Sequence, residues 1–139
     1  MRTIRFFLAF LLLLPVIACN AQSGKQASNT GSSNKVEAYY FHFNARCVTC
    51  KTVEAQAKSY IESLYPGLVK SGQISFTAVN LDETEGKAIG DKLGVNGQTL
   101  LLVKGGQKIN ITNEGFMYAV SQPEKLKAVI KEKVDGLLN

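Results

Sequence analysis

Apolar side chains recur along this chain with two alternating periods. Residues 36–43, VEAYYFHF, are rich in aromatic and β-branched side chains and stop at Asn44, which predicts a mostly buried strand. Val53, Ala57, Tyr60, Ile61 and Leu64 then recur at spacings of three and four. They form one apolar helical stripe, which Pro66-Gly67 should end. Residues 73–81, QISFTAVNL, alternate at Ile74, Phe76 and Ala78 before turning fully apolar, as a second strand does. A shorter helix follows Asp82, running through Ala88, Ile89 and Leu93 to a C-capping Gly94, despite glycines in its interior.

Residues 99–104, TLLLVK, then Gly105-Gly106, then 107–112, QKINIT, have the pattern of a β-hairpin. Residues 113–120 fit either an irregular connection or a short helix. Ser121 and Glu124 have the spacing of a capping box at the head of a closing helix, whose buried face is Leu126, Val129, Ile130, Val134 and Leu137. Strand, helix, strand, helix, hairpin, helix favours parallel strands joined by right-handed crossovers, with an antiparallel edge from the hairpin. The expected fold is a three-layer α/β domain on a mixed sheet of about four strands flanked by helices.

The first 35 residues do not share this pattern. Arg2 and Arg5 precede an apolar run over 6–17, the layout of a secretory signal over residues 1–18. The run falls short of the roughly 20 residues that cross a bilayer and contains Pro15, so spanning is the poorer reading. Val16-Ile17-Ala18-Cys19 resembles the lipobox of bacterial lipoproteins, which implies a lipid on Cys19 after cleavage; the alternative is an ordinary signal with a chance cysteine. Residues 20–35, NAQSGKQASNTGSSNK, have too few apolar side chains to offset their ordering entropy and read as a flexible tether. The expected organisation is a signal over 1–18, a lipidated cysteine and tether over 19–35, and a domain over 36–139, exported and anchored to a bacterial membrane, facing the periplasm or the exterior.

Loss of Arg2 and Arg5 lowers the net charge from +5 to +3, since the signal holds no acidic residue. So small a balance gives no warrant for a nucleic-acid partner, and Lys125, Lys127, Lys131 and Lys133 read as a solvated helix face.

The three cysteines carry the candidate chemistry. With Cys19 assigned to an anchor, Cys47 and Cys50 remain, outside the reducing cytosol, where a disulfide persists. If the helix begins near Cys47, that sulfur lies among unsatisfied N–H groups at the positive end of the helix dipole, a setting that favours thiolate. Arg46 next door could add to the effect. Cys47 is then the nucleophile, and Cys50, one turn on, is the resolving thiol. Two other readings stand beside this one. A thiophilic metal or metalloid could be held by two thiolates, although a structural zinc site takes about four Cys or His ligands and the mature domain adds His42 alone to the pair. An inert disulfide is the third reading, but closing so small a loop removes little chain entropy.

Strand, RCVTCK, helix, GVNGQTLLLVKGG and a final amphipathic helix resemble the thioredoxin superfamily over nearly all of 36–139. More narrowly, YYFHFNARCVTCKTVE is similar to small bacterial thioredoxin-like lipoproteins of the ArsF family of nitrophenyl-compound nitroreductase subunits. The superfamily implies thiol–disulfide exchange with protein thiols and disulfides, with Cys47 attacking, Cys50 resolving and Lys51 in the place of a common basic residue. No cofactor beyond the cysteines is then required. The narrower family implies a membrane electron-transfer partner. No nucleotide-binding motif is recognisable, and two thiols do not supply hydride chemistry.

Three departures carry expectations. Val48-Thr49 replaces the Gly-Pro of thioredoxin, so its reduction potential does not transfer. Gln98 or Thr99 stands where the superfamily has a cis-proline, which predicts a trans or rearranged loop and more room beside the cysteines. The buried acid of thioredoxin falls on Phe41, so its proton-transfer task passes to His42 or Glu54 or goes undone. The ordinary alternatives are a satisfied strand histidine and a solvated helix glutamate.

Overall fold

Alternation along the first strand sorts its side chains onto two faces and so decides where the helices lie. A computed structural model describes residues 34–139; the signal segment, Cys19 and the tether up to residue 33 lie outside the described residues. Strand β1 (Val36–His42) turns Val36, Ala38 and Tyr40 into one apolar cluster and Tyr39 and Phe41 into another. It pairs in parallel with β2 (Ile74–Asn80) and antiparallel with β3 (Thr99–Lys104), which pairs antiparallel with β4 (Gln107–Asn110). The sheet order is β2-β1-β3-β4.

Helices α1 (Val48–Leu64), α4 (Thr112–Tyr118) and α5 (Pro123–Leu138) close the larger cluster, through Val53, Ala57 and Ile61 of α1, Phe116 of α4 with its C-cap Ala119, and Leu126, Ile130, Val134 and Leu137 of α5. Helix α3 (Thr84–Leu93) covers the other face with Ile89 and Leu93 over Phe41, Val79, Leu101 and Val103. This is the expected three-layer α/β arrangement around a mixed four-stranded sheet. Only β1 and β2 run parallel, however: the chain leaves α3 to enter β3 on the far side of β1, antiparallel to it, rather than by a second parallel crossover.

Three local expectations are corrected and one open alternative is resolved. Pro66-Gly67 ends α1 but also opens a short α2 (Pro66–Lys70), because proline at the first helical position loses no bond and brings a helical φ. Strand β4 stops at Asn110, whose side-chain oxygen accepts from both the N–H and the hydroxyl of Thr112 at 3.0 and 2.6 Å and bends the chain into α4. The ambiguous residues beyond it are thereby largely helical. The capping box does not form: Ser121 donates its hydroxyl to the carbonyl of Met117 at 3.0 Å, and α5 starts on Gln122 without a side-chain cap.

Gly94 does cap α3, with φ 72°. The two glycines inside α3 mark where it meets its neighbours. A Cβ on Gly86 would lie 2.7 Å from the Asn80 carbonyl carbon, and one on Gly90 2.7 Å from the Val95 carbonyl oxygen.

Candidate functional site

Helix α1 begins at the cysteine pair. Cys47 is its N-cap, in extended conformation (φ −74°, ψ 167°), and its Sγ accepts the N–H of Cys50 at 3.2 Å, the role an oxygen usually fills. Its carbonyl accepts the N–H of Lys51 at 3.2 Å, the first turn's bond. Cys47 and Cys50 are joined in a disulfide with their Cα atoms 5.2 Å apart. Their surroundings are unequal: Cys47 is exposed, whereas Cys50 is 3% exposed and packed under the helix start. An outside reagent therefore meets the Cys47 sulfur first.

The loop before the pair is held from β2. Asn44 N–H donates to Asp82 Oδ2 at 2.7 Å, Asn80 donates its amide to Asn44 Oδ1 at 2.8 Å and to Glu83 Oε1 at 2.9 Å, and Leu81 N–H reaches the carbonyl of His42 at 2.7 Å. This polar clasp was missed from the sequence. Its signal there is slight, an asparagine at or just past the end of each of two strands.

Arg46 and Glu54 are brought together in an ion pair, with side-chain exposures of 22% and 25%. The Arg46 charge is therefore compensated by Glu54 rather than left free beside Cys47, and the Glu54 carboxylate is engaged in the same pair. Stabilisation of an anion at Cys47 falls to the main-chain amides of the first turn.

Under that pair lies a group the sequence reading missed. Phe41, which occupies the place of the buried acid of thioredoxin, points into the α3 cluster, away from α1. Its neighbour Tyr40 points toward α1, and Tyr40 Oη is buried without a hydrogen-bond partner, the one such side-chain oxygen or nitrogen among the described residues. Burial, and then the charge of Glu54, push the Tyr40 hydroxyl up to about 12, with Arg46 opposing. Tyr40→Phe is expected to raise stability by about 1 kcal/mol in urea unfolding, since an unsatisfied buried hydroxyl costs more than it returns. The sign with pH follows from the same shift. The folded chain keeps this proton to about 12, whereas an unfolded tyrosine releases it near 10.0, so the wild type should lose stability across that window relative to the Phe variant. A midpoint that falls on substitution, at every pH tested, would contradict this account.

The remaining candidates separate. His42 shares a hydrogen bond between its Nδ1 and the carbonyl of Phe43 at 3.1 Å and stacks on Tyr40, ring centroids 6.3 Å apart, so its bond is to backbone rather than to a cysteine. Lys51 is exposed on the first turn of α1. Thr99 is buried, with its hydroxyl donated to the carbonyl of Gly97 at 3.0 Å. Gln98 does reach the pair, its Oε1 lying 3.3 Å from Cys50 Sγ. No cis peptide bond occurs among the described residues, and the room expected beside the cysteines is occupied by the Gln98 side chain.

No protein-family model and no curated protein sequence matches the chain. Solved structures do. Thioredoxin O2 from Arabidopsis thaliana in its oxidized state superposes with a TM-score of 0.51 at 21% identity, over 76% of this chain and 80% of that one. The J-Trx1 fragment of ERdj5 gives 0.51 at 17% identity, over 79% of this chain and 47% of that one. The fold is thioredoxin-like.

Proposed function

We propose that this protein is a thiol–disulfide oxidoreductase that relays an electron pair through Cys47 and Cys50. The observation that carries the reading is the asymmetric disulfide at a helix start, with one sulfur exposed on main-chain amide and the other buried beneath it. On reduction, a Cys47 thiolate keeps the Cys50 N–H and the helix dipole as stabilisers. It attacks a substrate disulfide: a Cys47–substrate S–S bond forms, and the substrate's other sulfur leaves as thiolate and takes a proton. Cys50 then attacks Cys47 Sγ, the mixed disulfide breaks, and the substrate's remaining sulfur departs with the proton Cys50 gave up. The substrate gains two electrons and the protein loses two. A dithiol donor restores the pair by the same steps in reverse.

We assign the lipid anchor to Cys19 and place the domain outside the cytosol, on the signal and lipobox features of residues 1–19. The similarity of residues 39–54 to ArsF-family lipoproteins supports a membrane electron-transfer protein as the dithiol donor. Equilibration in glutathione buffers, with titration by Cu(I) and arsenite in parallel, tests the assignment. A reversible two-electron couple is expected. Tight stoichiometric binding of either ion with no such couple would make the pair a thiophilic ligand site instead.

A further inference from the structure

Gln98 is the group from outside α1 whose polar atom meets the buried sulfur, at 3.3 Å from Cys50 Sγ. Its loop is held firmly. Val95 N–H returns to the carbonyl of Gly90 at 2.8 Å, the Thr99 hydroxyl bonds Gly97 at 3.0 Å, and Leu100 N–H donates to Thr112 Oγ1 at 2.9 Å. The atom presented to Cys50 is an amide oxygen, which accepts a hydrogen bond and carries negative partial charge. It suits a thiol, which donates its proton, and disfavours a thiolate. Cys47 meets the opposite environment, since its sulfur accepts an N–H.

Resting on the exchange function proposed above, we infer that Gln98 holds the proton on Cys50 in the reduced protein, keeping Cys47 the charged sulfur and setting the lifetime of the mixed disulfide. An amide accepts a hydrogen bond but not the proton itself, so Gln98 acts as a brake rather than a base. When Cys50 attacks, its proton must go to the departing substrate thiolate, directly or through water. The slower that transfer, the longer a partner stays bound to Cys47.

The other groups around Cys50 leave this assignment to Gln98. Arg46, in the loop before α1, and Glu54 on α1 neutralise each other; β1 contributes Tyr40, held neutral, and His42, bonded to backbone. From β3 come Thr99 and Leu100, which do not titrate. On α4, Glu114 acts on Lys133, and Tyr118 lies under Lys125 at 4.3 Å. On α5, Lys127 sits over Tyr60 and Lys131 pairs with Asp135, both toward the far end of α1.

The test reacts the reduced full-length protein with oxidised glutathione and follows, by quenched mass spectrometry across pH, the decay of the mixed disulfide on Cys47. For Gln98→Met, which keeps the bulk and removes the amide, the midpoint of the decay profile should fall by about one pH unit. The thiolate fraction at neutral pH then rises about tenfold while its nucleophilicity drops about threefold, for a net acceleration of about threefold there and a plateau about threefold lower at high pH. The two profiles should cross, which loss of packing alone does not produce. In the wild type, carbon-13 titration of the two Cβ atoms should show Cys47 ionising before Cys50, a measurement that stands even if the variant fails to fold. Superimposed profiles, a midpoint that rises in the variant, or Cys50 ionising first would each overturn the inference. Absence of any mixed disulfide in the wild type would instead overturn the exchange function itself.

Discussion

Cys47→Ser should lose more than about a thousandfold in the rate of exchange with a protein or glutathione disulfide, because a serine hydroxyl does not replace a thiolate in this attack. Cys50→Ser should still attack and then stall, accumulating a covalent adduct on Cys47. The asymmetry comes from burial. Cys47 lies exposed at the start of α1, whereas Cys50 is 3% exposed, so a substrate disulfide as bulky as a protein loop approaches the first sulfur in line and not the second. Disulfide-linked adducts resolved on non-reducing gels, with intact-mass measurement of each variant, check both halves. If adducts gather on Cys47→Ser and not on Cys50→Ser, the attacking and resolving sulfurs have been assigned in reverse. If neither variant forms one, the pair is not an exchange centre. Partners trapped on Cys50→Ser in cells would also identify the dithiol donor or substrate, which the fold alone does not name.

The elements that were legible are those in which one interaction dominates. The apolar run of β3 lies at the centre of the sheet, where five of its six residues are buried, and the three-and-four spacing of Val53, Ala57 and Ile61 became the buried face of α1. The cysteines were placed at a helix start because an apolar strand pattern gives way there to a helical one, and the N-cap geometry of Cys47 agrees. What was not legible depends on contacts between distant residues. A Ser-x-x-Glu spacing suggests a capping box, yet Ser121 is taken by the last turn of α4. Arg46 next to a cysteine suggests a free cation, yet Glu54 eight residues on takes its charge. Gln98 sits 48 residues from Cys50, and no local pattern announces that its amide oxygen meets that sulfur. The orphan hydroxyl of Tyr40 is less visible still, since an alternating strand reads equally well with tyrosine or phenylalanine inside.

The glycines of α3 join the fold to the site and carry the largest expected loss of stability. In isolation, glycine to alanine inside a helix gains about 1 kcal/mol. At Gly86 a new methyl would fall on the main-chain carbonyl of Asn80, a group that cannot rotate away as a side chain can, and would also press on Val79 Cγ1 at 3.2 Å. Overpacking of this kind costs about 1–3 kcal/mol or more, and contact with backbone belongs at the upper end, so Gly86→Ala should lower stability by about 2 kcal/mol after the helical gain. Gly67→Ala is the matched control. Its methyl meets nothing within 4 Å, and it should leave stability unchanged or raise it by a few tenths of a kcal/mol. Chemical denaturation of both variants gives the comparison, and equal midpoints would mean that α3 does not rest on β2 as closely as described. The consequence reaches the cysteines, because the strand end that the methyl displaces is also the anchor of their loop through Asn80, Asn44 and Asp82. Folded Gly86→Ala protein should therefore react more slowly with disulfides than Gly67→Ala at the same pH, although residue 86 lies on the far face of the sheet from α1.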